Sequence, residues 1–428
     1  MKKYVITAIA LLFVGFQLSA QVSKEYIYSH IGASGGVYYA YPEVTTKPTA
    51  APKGYEAFYI SHYGRHGSRY LIGDNDYLGA LRQLRSADQA GALTPLGEDV
   101  LRRVEIIFAD AEGKGGSLTT LGVKQHRGIA ERMVANYPAI FRKGTIDISA
   151  RSTTVPRCIL SMDAFCERLK EINPSLNITR ESCDRYMNYL NYHTEEAGKF
   201  TSSSSPWQRD YAQFEKENVH PERLVKTLFK SEDYIRNNVR ADRLMWGLYW
   251  IASDIQDVEL GDITLYDIFE IEELYDLWKI GNAKNYINDG PSPLSNGVIV
   301  GCAGNLLRNI VDSADEAIAS GKMTATLRFG HDGNIQPLAS ILHLDGCNIE
   351  ETDYNKIDRA WSNFRVSPMA SNIQISFYRN KKNHSDILVK FMLNEQEIGI
   401  PVKTDKYPYY NWNDVRAFYV DILSKLGI

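Results

Sequence analysis

An α/β core with a largely parallel sheet, interrupted by an all-helical stretch, is the fold this chain predicts, and three observations predict it. The segments "EAFYIS", "TIDISA" and "MTATLRF" are rich in β-branched and aromatic residues and read as buried strands. Each is followed by a segment of helical period. The middle of the chain carries helical period with no convincing strand, and strands alternating with helices imply a parallel sheet.

In order, "EAFYIS" is the first strand, ending near Gly64. "TPLGEDVLRRVEIIFADA" opens with Thr94 as a candidate cap and Pro95 in the first turn, with Glu98 close behind. "LTTLGVKQHRGIAERMVANY" repeats the helical period, and "VPRCILSMDAFCERLKEI" does so after the strand "TIDISA". After the polar tract "TSSSSP", the segments "PERLVKTLFK", "SEDYIRNNVRADRLMWGLYWIASDI" and "TLYDIFEIEELYDLWKI" are helical as far as the prolines Pro291 and Pro293. This predicts a helical insertion over 206–293 between core segments 21–205 and 294–428. Strand pattern resumes at "MTATLRFGHDGNIQPLASIL", and "NWNDVRAFYVDILSKL" closes the chain as an amphipathic helix.

With 428 residues, 44% hydrophobic and 23% charged, the composition is that of a globular protein. The net charge of −4 excludes a nucleic-acid binder built on bulk positive charge, so any anion recognition must be local. Residues 1–20 place Lys2 and Lys3 before "YVITAIALLFVGF", with Ala20 at the expected cut. That pattern predicts a secretory signal peptide rather than a membrane span, and a periplasmic or secreted product of net charge −6. The cysteines at 158, 166, 183, 302 and 347 form no C-x-x-C pair; one bridge could form and at least one thiol stays free.

"SHYGRHGSRY", residues 61–70, follows the first strand directly. Read as a strand end entering a helix, it gathers backbone N–H groups and the Arg65 and Arg69 guanidiniums around His66, with Gly67 leaving room for a phosphate: an anion site. A neutral imidazole can attack phosphorus and carry the phosphoryl group, and flanking arginines neutralise its oxygens while lowering the imidazole pKa. His62 and His66 as a zinc pair are disfavoured, since no acid lies between them and Gly64 sits at a strand end. "ARSTTVPRC" adds Arg151 and Arg157 after the second strand, and "GHDGN" adds His331, Asp332 and Asn334 after the third. Alone, Asp332 reads more readily as a turn or helix-cap acid than as a catalytic one. In an open α/β sheet, however, all three strand ends meet along one crevice.

"RHGSR" followed much later by "GHD", with an arginine at the start of an intervening helix and a helical insertion, resembles the histidine acid phosphatases, the second branch of the histidine phosphatase superfamily, from about Tyr55 to the end of the chain. The resemblance implies a three-layer phosphoglycerate-mutase-like core. It also implies His66 as nucleophile, Asp332 as proton donor, and Arg65, Arg69, Arg157 and His331 as phosphate ligands. Arg157 matches the family position, and Arg151 and Asn334 are then secondary. Leu71 stands where the family often has proline, and "HD" stands where the animal-type inositol polyphosphate phosphatases carry "HAE". The expectation is an exported phosphomonoesterase of inositol phosphates such as phytate, or of sugar phosphates, with no cofactor or metal, because arginines take the role of a divalent ion. The competing expectation is an exported, non-catalytic binder of phosphorylated ligands or glycans, suggested by the 27 tyrosines.

Overall fold

The computed structural model describes residues 23–141 and 146–428; the expected signal peptide lies outside the described residues. Strand β1 (Tyr55–Arg65) leads into helices α1 (Asp74–Gln89), α2 (Pro95–Ala111) and α3 (Thr120–Asn136). Thr94 caps α2 and Thr119 caps α3, each side chain accepting a hydrogen bond from the N–H three residues on, that of Gly97 and Gly122 respectively. Then follow β2 (Ile146–Ser152), α4 (Pro156–Ile172) and β3 (Leu176–Ser182). The helical middle contains α5 (Trp207–Asn218), α6 (Glu222–Leu228), α7 (Ala241–Asp254) and α8 (Ile271–Asp289). After α9 (Gly304–Ser320) come β4 (Met323–Gly330) and α10 (Asp332–Ile341). The chain ends with β5 (Asn372–Asn380), β6 (Ile387–Leu393), β7 (Gln396–Ile398), β8 (Tyr410–Asn411) and α11 (Trp412–Lys425).

The strands form one sheet in the order β3-β2-β4-β1-β5-β6-β7, with β8 also on β6. The expected parallel sheet is its β3-β2-β4-β1 half. The antiparallel half, β5 to β8, was not foreseen. "ILVKFML" is a near-continuous apolar run covered on both faces, whereas "NIQISFYRN" alternates apolar and polar residues, and its polar side chains Gln374 and Ser376 are buried all the same.

Side chains alternate across β1, and this makes the three layers. Ile60 faces α3 and α4 with Ile129, Met133 and Phe165. Tyr59 and Tyr63 face the other side, with Leu307 and Ile310 of α9 and Tyr419 of α11. A separate helical core joins Leu244 and Leu248 of α7 and Leu274 of α8 to Leu81 and Leu84 of α1 and Val100 and Val104 of α2. The helical stretch 206–293 therefore shares its core with residues 71–111. "TSSSSP" is a tight turn before α5, with Ser205 N–H donating to the Ser202 carbonyl.

Candidate active site

The register between β1 and β4 brings the two motifs together: Arg65 pairs with Gly330, so His66 and His331 are the first residues beyond adjacent strand ends. Their ring centroids are 5.7 Å apart. Ser152 of β2 pairs with Phe329, which sets Thr153 beside them, its Oγ1 3.1 Å from His331 Nε2.

Two expectations about the loop after β1 are corrected. First, it does not enter a helix; α1 begins only at Asp74. Second, its backbone N–H groups do not face an anion. Arg65 N–H donates to Ser371 O, His66 N–H to Gly330 O and Tyr70 N–H to Ser117 O. Gly67 N–H donates to Ser161 Oγ and Ser68 N–H to Gln125 Oε1. With these donors used inside the protein, the side chains make the anion site. Gly67 likewise serves packing rather than phosphate access: a Cβ there would lie 2.5 Å from the Gly122 carbonyl oxygen, against the first turn of α3.

Arg65 is fully buried and anchored, its Nη1 donating to Val37 O and Ser367 O at 2.5 and 2.7 Å. Its Nη2 lies 3.3 Å from Asp332 Oδ2, and its Nε has no hydrogen-bond partner. Arg69, also buried, stacks on Tyr38 with its guanidinium carbon 4.8 Å from the ring centroid, and donates from Nη1 to Tyr70 O. Its Nε is unpartnered as well, as is that of Arg157 in the first turn of α4. A guanidinium buried without a protein acceptor is poised for an anion from outside.

Arg151 differs. Its Nε donates to Glu181 Oε2 and its Nη1 to Tyr189 OH, while its guanidinium lies on the Tyr186 ring, so it is held by the end of β3 and the residues that follow it. Asn334 is buried in the first turn of α10, its Oδ1 without a partner. His62 belongs to the core: both ring nitrogens are unpartnered and the ring packs on Phe165 and Phe329.

Burial, then the charges of Arg65, Arg69 and Arg157, holds His66 well below the ordinary histidine range. Burial also brings His331 down to about 4, against the opposing pull of Asp332 and with the charges of Arg157, Arg65 and Arg69 in support. For Asp332, whose side chain is 30% exposed, burial opposes ionisation, yet Arg65, Arg69 and His331 hold the carboxyl down to about 2. The site thus combines neutral imidazoles, fixed guanidiniums and one carboxylate, a set suited to a phosphate dianion.

Sequence reasoning missed the layer behind the loop. Ser68 Oγ donates to Asp257 Oδ1 at 2.5 Å and accepts from Gln125 Nε2. Tyr77 OH donates to Asp254 Oδ2 and accepts from Leu71 N–H, a donor that the family's usual proline would lack. Burial pushes Asp254 up to about 7, and burial together with Asp254 pushes Asp257 well above the carboxylate range. Nothing in "IASDIQD" marks these acids as partners of a loop some 190 residues earlier. All five cysteines are free thiols. Cys158, against His331, is pushed up by burial to about 11 and is no nucleophile.

No match was found among the curated proteins. Among solved structures, the multiple inositol polyphosphate phosphatase of Bifidobacterium longum in complex with phosphate has a TM-score of 0.72 and 19% identity, over 90% of this chain and 97% of that one. The phytase from D. castellii has a TM-score of 0.68 and 15% identity, over 92% and 85%. The apo form of Hafnia alvei phytase has a TM-score of 0.53 and 12% identity, over 88% and 99%. At such identities the likeness is one of fold. The profile of the histidine phosphatase superfamily (branch 2) matches residues 65–394, from the arginine that opens "RHGSR" through the "HD" helix to the end of β6, and so this chain belongs to that family.

Proposed function

We propose that this phosphomonoesterase is exported and hydrolyses inositol phosphates or sugar phosphates through a phosphohistidine at His66. The observation that carries the reading is the contact of His66 Nδ1 with the Gly67 carbonyl oxygen at 2.9 Å. A carbonyl only accepts, so the proton sits on Nδ1 and the Nε2 lone pair is free to attack.

Nε2 forms a bond to phosphorus as the ester P–O bond breaks; Arg65, Arg69, Arg157 and His331 hold the phosphoryl oxygens. Asp332 gives its proton to the leaving oxygen, and its carboxylate then takes one from the water that attacks phosphorus and breaks the N–P bond. A phosphate dianion on Arg65 and Arg69 cancels the field that depresses Asp332, so the substrate itself raises the acid towards a protonated state. The fold shared with an inositol polyphosphate phosphatase and with phytases supports inositol phosphates as substrates. The basic start, apolar run and small residue within 1–20 support export.

The test is rapid quenching with a ³²P-labelled ester. Wild type should yield an acid-labile, base-stable phosphoenzyme that His66→Ala lacks, with turnover of the variant at background. A labelled His66→Ala, or one with turnover near wild type, rejects the nucleophile. Export is checked by fractionating cells that express the full chain and sequencing the recovered N-terminus, expected near residue 21.

A further inference from the structure

A pocket of about 260 Å³ adjoins the helix that carries Asp332. One wall is Gly333 and Pro337 in the first two turns of α10, and the facing wall is Asn288 and Asp289 at the end of α8, with His193 and Thr201 beside them. Asp289 and Gly333 meet closely: a Cβ on Gly333 would lie 3.2 Å from Asp289 Oδ1, so the glycine at this position admits the carboxyl. Asn288 Oδ1 is buried without a partner.

The chemistry of this wall contrasts with that of the phosphate site. Among the described residues no lysine or arginine lines the pocket. Burial lowers the His193 pKa, which disfavours a cation at that position too. A second phosphate placed here would be desolvated without a cation and against a carboxyl group, an arrangement that disfavours the charge. Sugar or inositol hydroxyls would instead donate to Asn288 Oδ1 and to the Asp289 carboxyl.

We infer that this pocket receives the leaving group as an uncharged, hydroxyl-bearing ring, so that polyol monophosphates are preferred over esters carrying further phosphates, with Asp289 a specificity-determining residue. The inference rests on the phosphomonoesterase reading above and narrows its substrate class. Burial, with the nearby charge of Asp332, pushes Asp289 up to about 7, in keeping with a carboxyl group set close to the acid and facing no cation.

The test compares kcat/KM for inositol 1-phosphate and inositol hexakisphosphate in wild type, Asp289→Asn and Asp289→Lys, with thermal melts to verify folding. Both substrates leave as ring alkoxides, so any effect of Asp289 on the acid cancels in their ratio. Wild type is expected to favour the monophosphate by about tenfold or more, as uncompensated like charge demands. Asp289→Asn should lower the ratio and Asp289→Lys should lower it further. A wild type that cleaves the hexakisphosphate equally well, or a ratio unmoved by both substitutions, overturns the inference. Turnover of p-nitrophenyl phosphate by wild type separates the two levels: its absence removes the phosphomonoesterase reading, whereas its presence with the wrong ratio removes only the pocket assignment.

Discussion

Arg65 Nη2 stands 3.3 Å from Asp332 Oδ2, tying the last residue of β1 to the first residue of α10. In the proposed mechanism one cation therefore serves two anions in turn, the carboxylate and then the phosphate, and occupancy by the second alters the proton affinity of the first.

Asp332→Asn should accordingly separate substrates by leaving group. Turnover of an alkyl ester such as inositol 1-phosphate should fall by roughly 10²- to 10⁴-fold, whereas p-nitrophenyl phosphate, whose phenolate leaves without a proton, should lose far less. Steady-state kinetics on both substrates, with phosphorylation verified as rate-limiting, gives the answer. Equal losses would remove Asp332 as the acid.

The two arginines after β2 should behave oppositely. Arg157 has an unpartnered Nε and senses the charges of Arg69 and Asp332, so Arg157→Ala should lower kcat/KM by about 10²- to 10³-fold. Arg151 is already paired with Glu181 near the surface, so Arg151→Ala should change stability by less than ~1 kcal/mol and kcat/KM only a few-fold. The reverse order in a side-by-side assay would move the phosphate ligand to Arg151.

Gly67→Ala is expected to damage the fold and the site together. Its Cβ would press on the backbone of Gly122 at 2.5 Å to the oxygen and 2.6 Å to Cα, where no flexible side chain can yield. Overpacking of this kind costs about 1–3 kcal/mol and displaces the neighbouring His66. Urea unfolding and kcat should fall together; a fully stable, active variant contradicts the packing role.

Buried histidines set an acid limit on stability. Burial holds His62 down to about 3, below its unfolded value of about 6.5. The unfolded chain thus binds more protons between those values, and stability is lost as pH falls below about 6.5. His62→Leu removes this proton uptake, so it should lose ~2 kcal/mol less than wild type between about pH 7 and about pH 4.5 in urea titrations. Parallel losses in the two proteins would place the acid sensitivity elsewhere.

The parallel half of the sheet and the meeting of its three strand-end motifs were legible because each is local: "GRHGSR", "ARSTTVPR" and "FGHDGN" put charge directly after apolar runs. What was hidden is non-local. The antiparallel pairing of β5 with β1 joins residues more than 300 apart, and neither strand's own pattern names its partner. Ser161, Gln125 and Asp257 reach the loop from three different segments, and single polar residues on apolar helices give no sign of the backbone group they will meet. The role of Gly67 was misread for the same reason, since its neighbour Gly122 lies 55 residues away in sequence.

The position of β1 between β4 and β5 governs when activity can arise during synthesis. Its hydrogen-bonding neighbours are residues 325–330 on one side and 372–380 on the other, so the strand that leads into His66 waits for about three quarters of the chain before one edge is paired and for most of the remainder before both are. A nascent or truncated polypeptide that already contains "RHGSR" has no assembled catalytic centre. Loop closure over such separations makes folding slow, and it makes function an all-or-none property of the finished molecule. A fragment ending before Asn372 should therefore be inert although it retains every residue of the proposed chemistry, and a circular permutant opened in an exposed turn should regain activity only once both edges of β1 are covered.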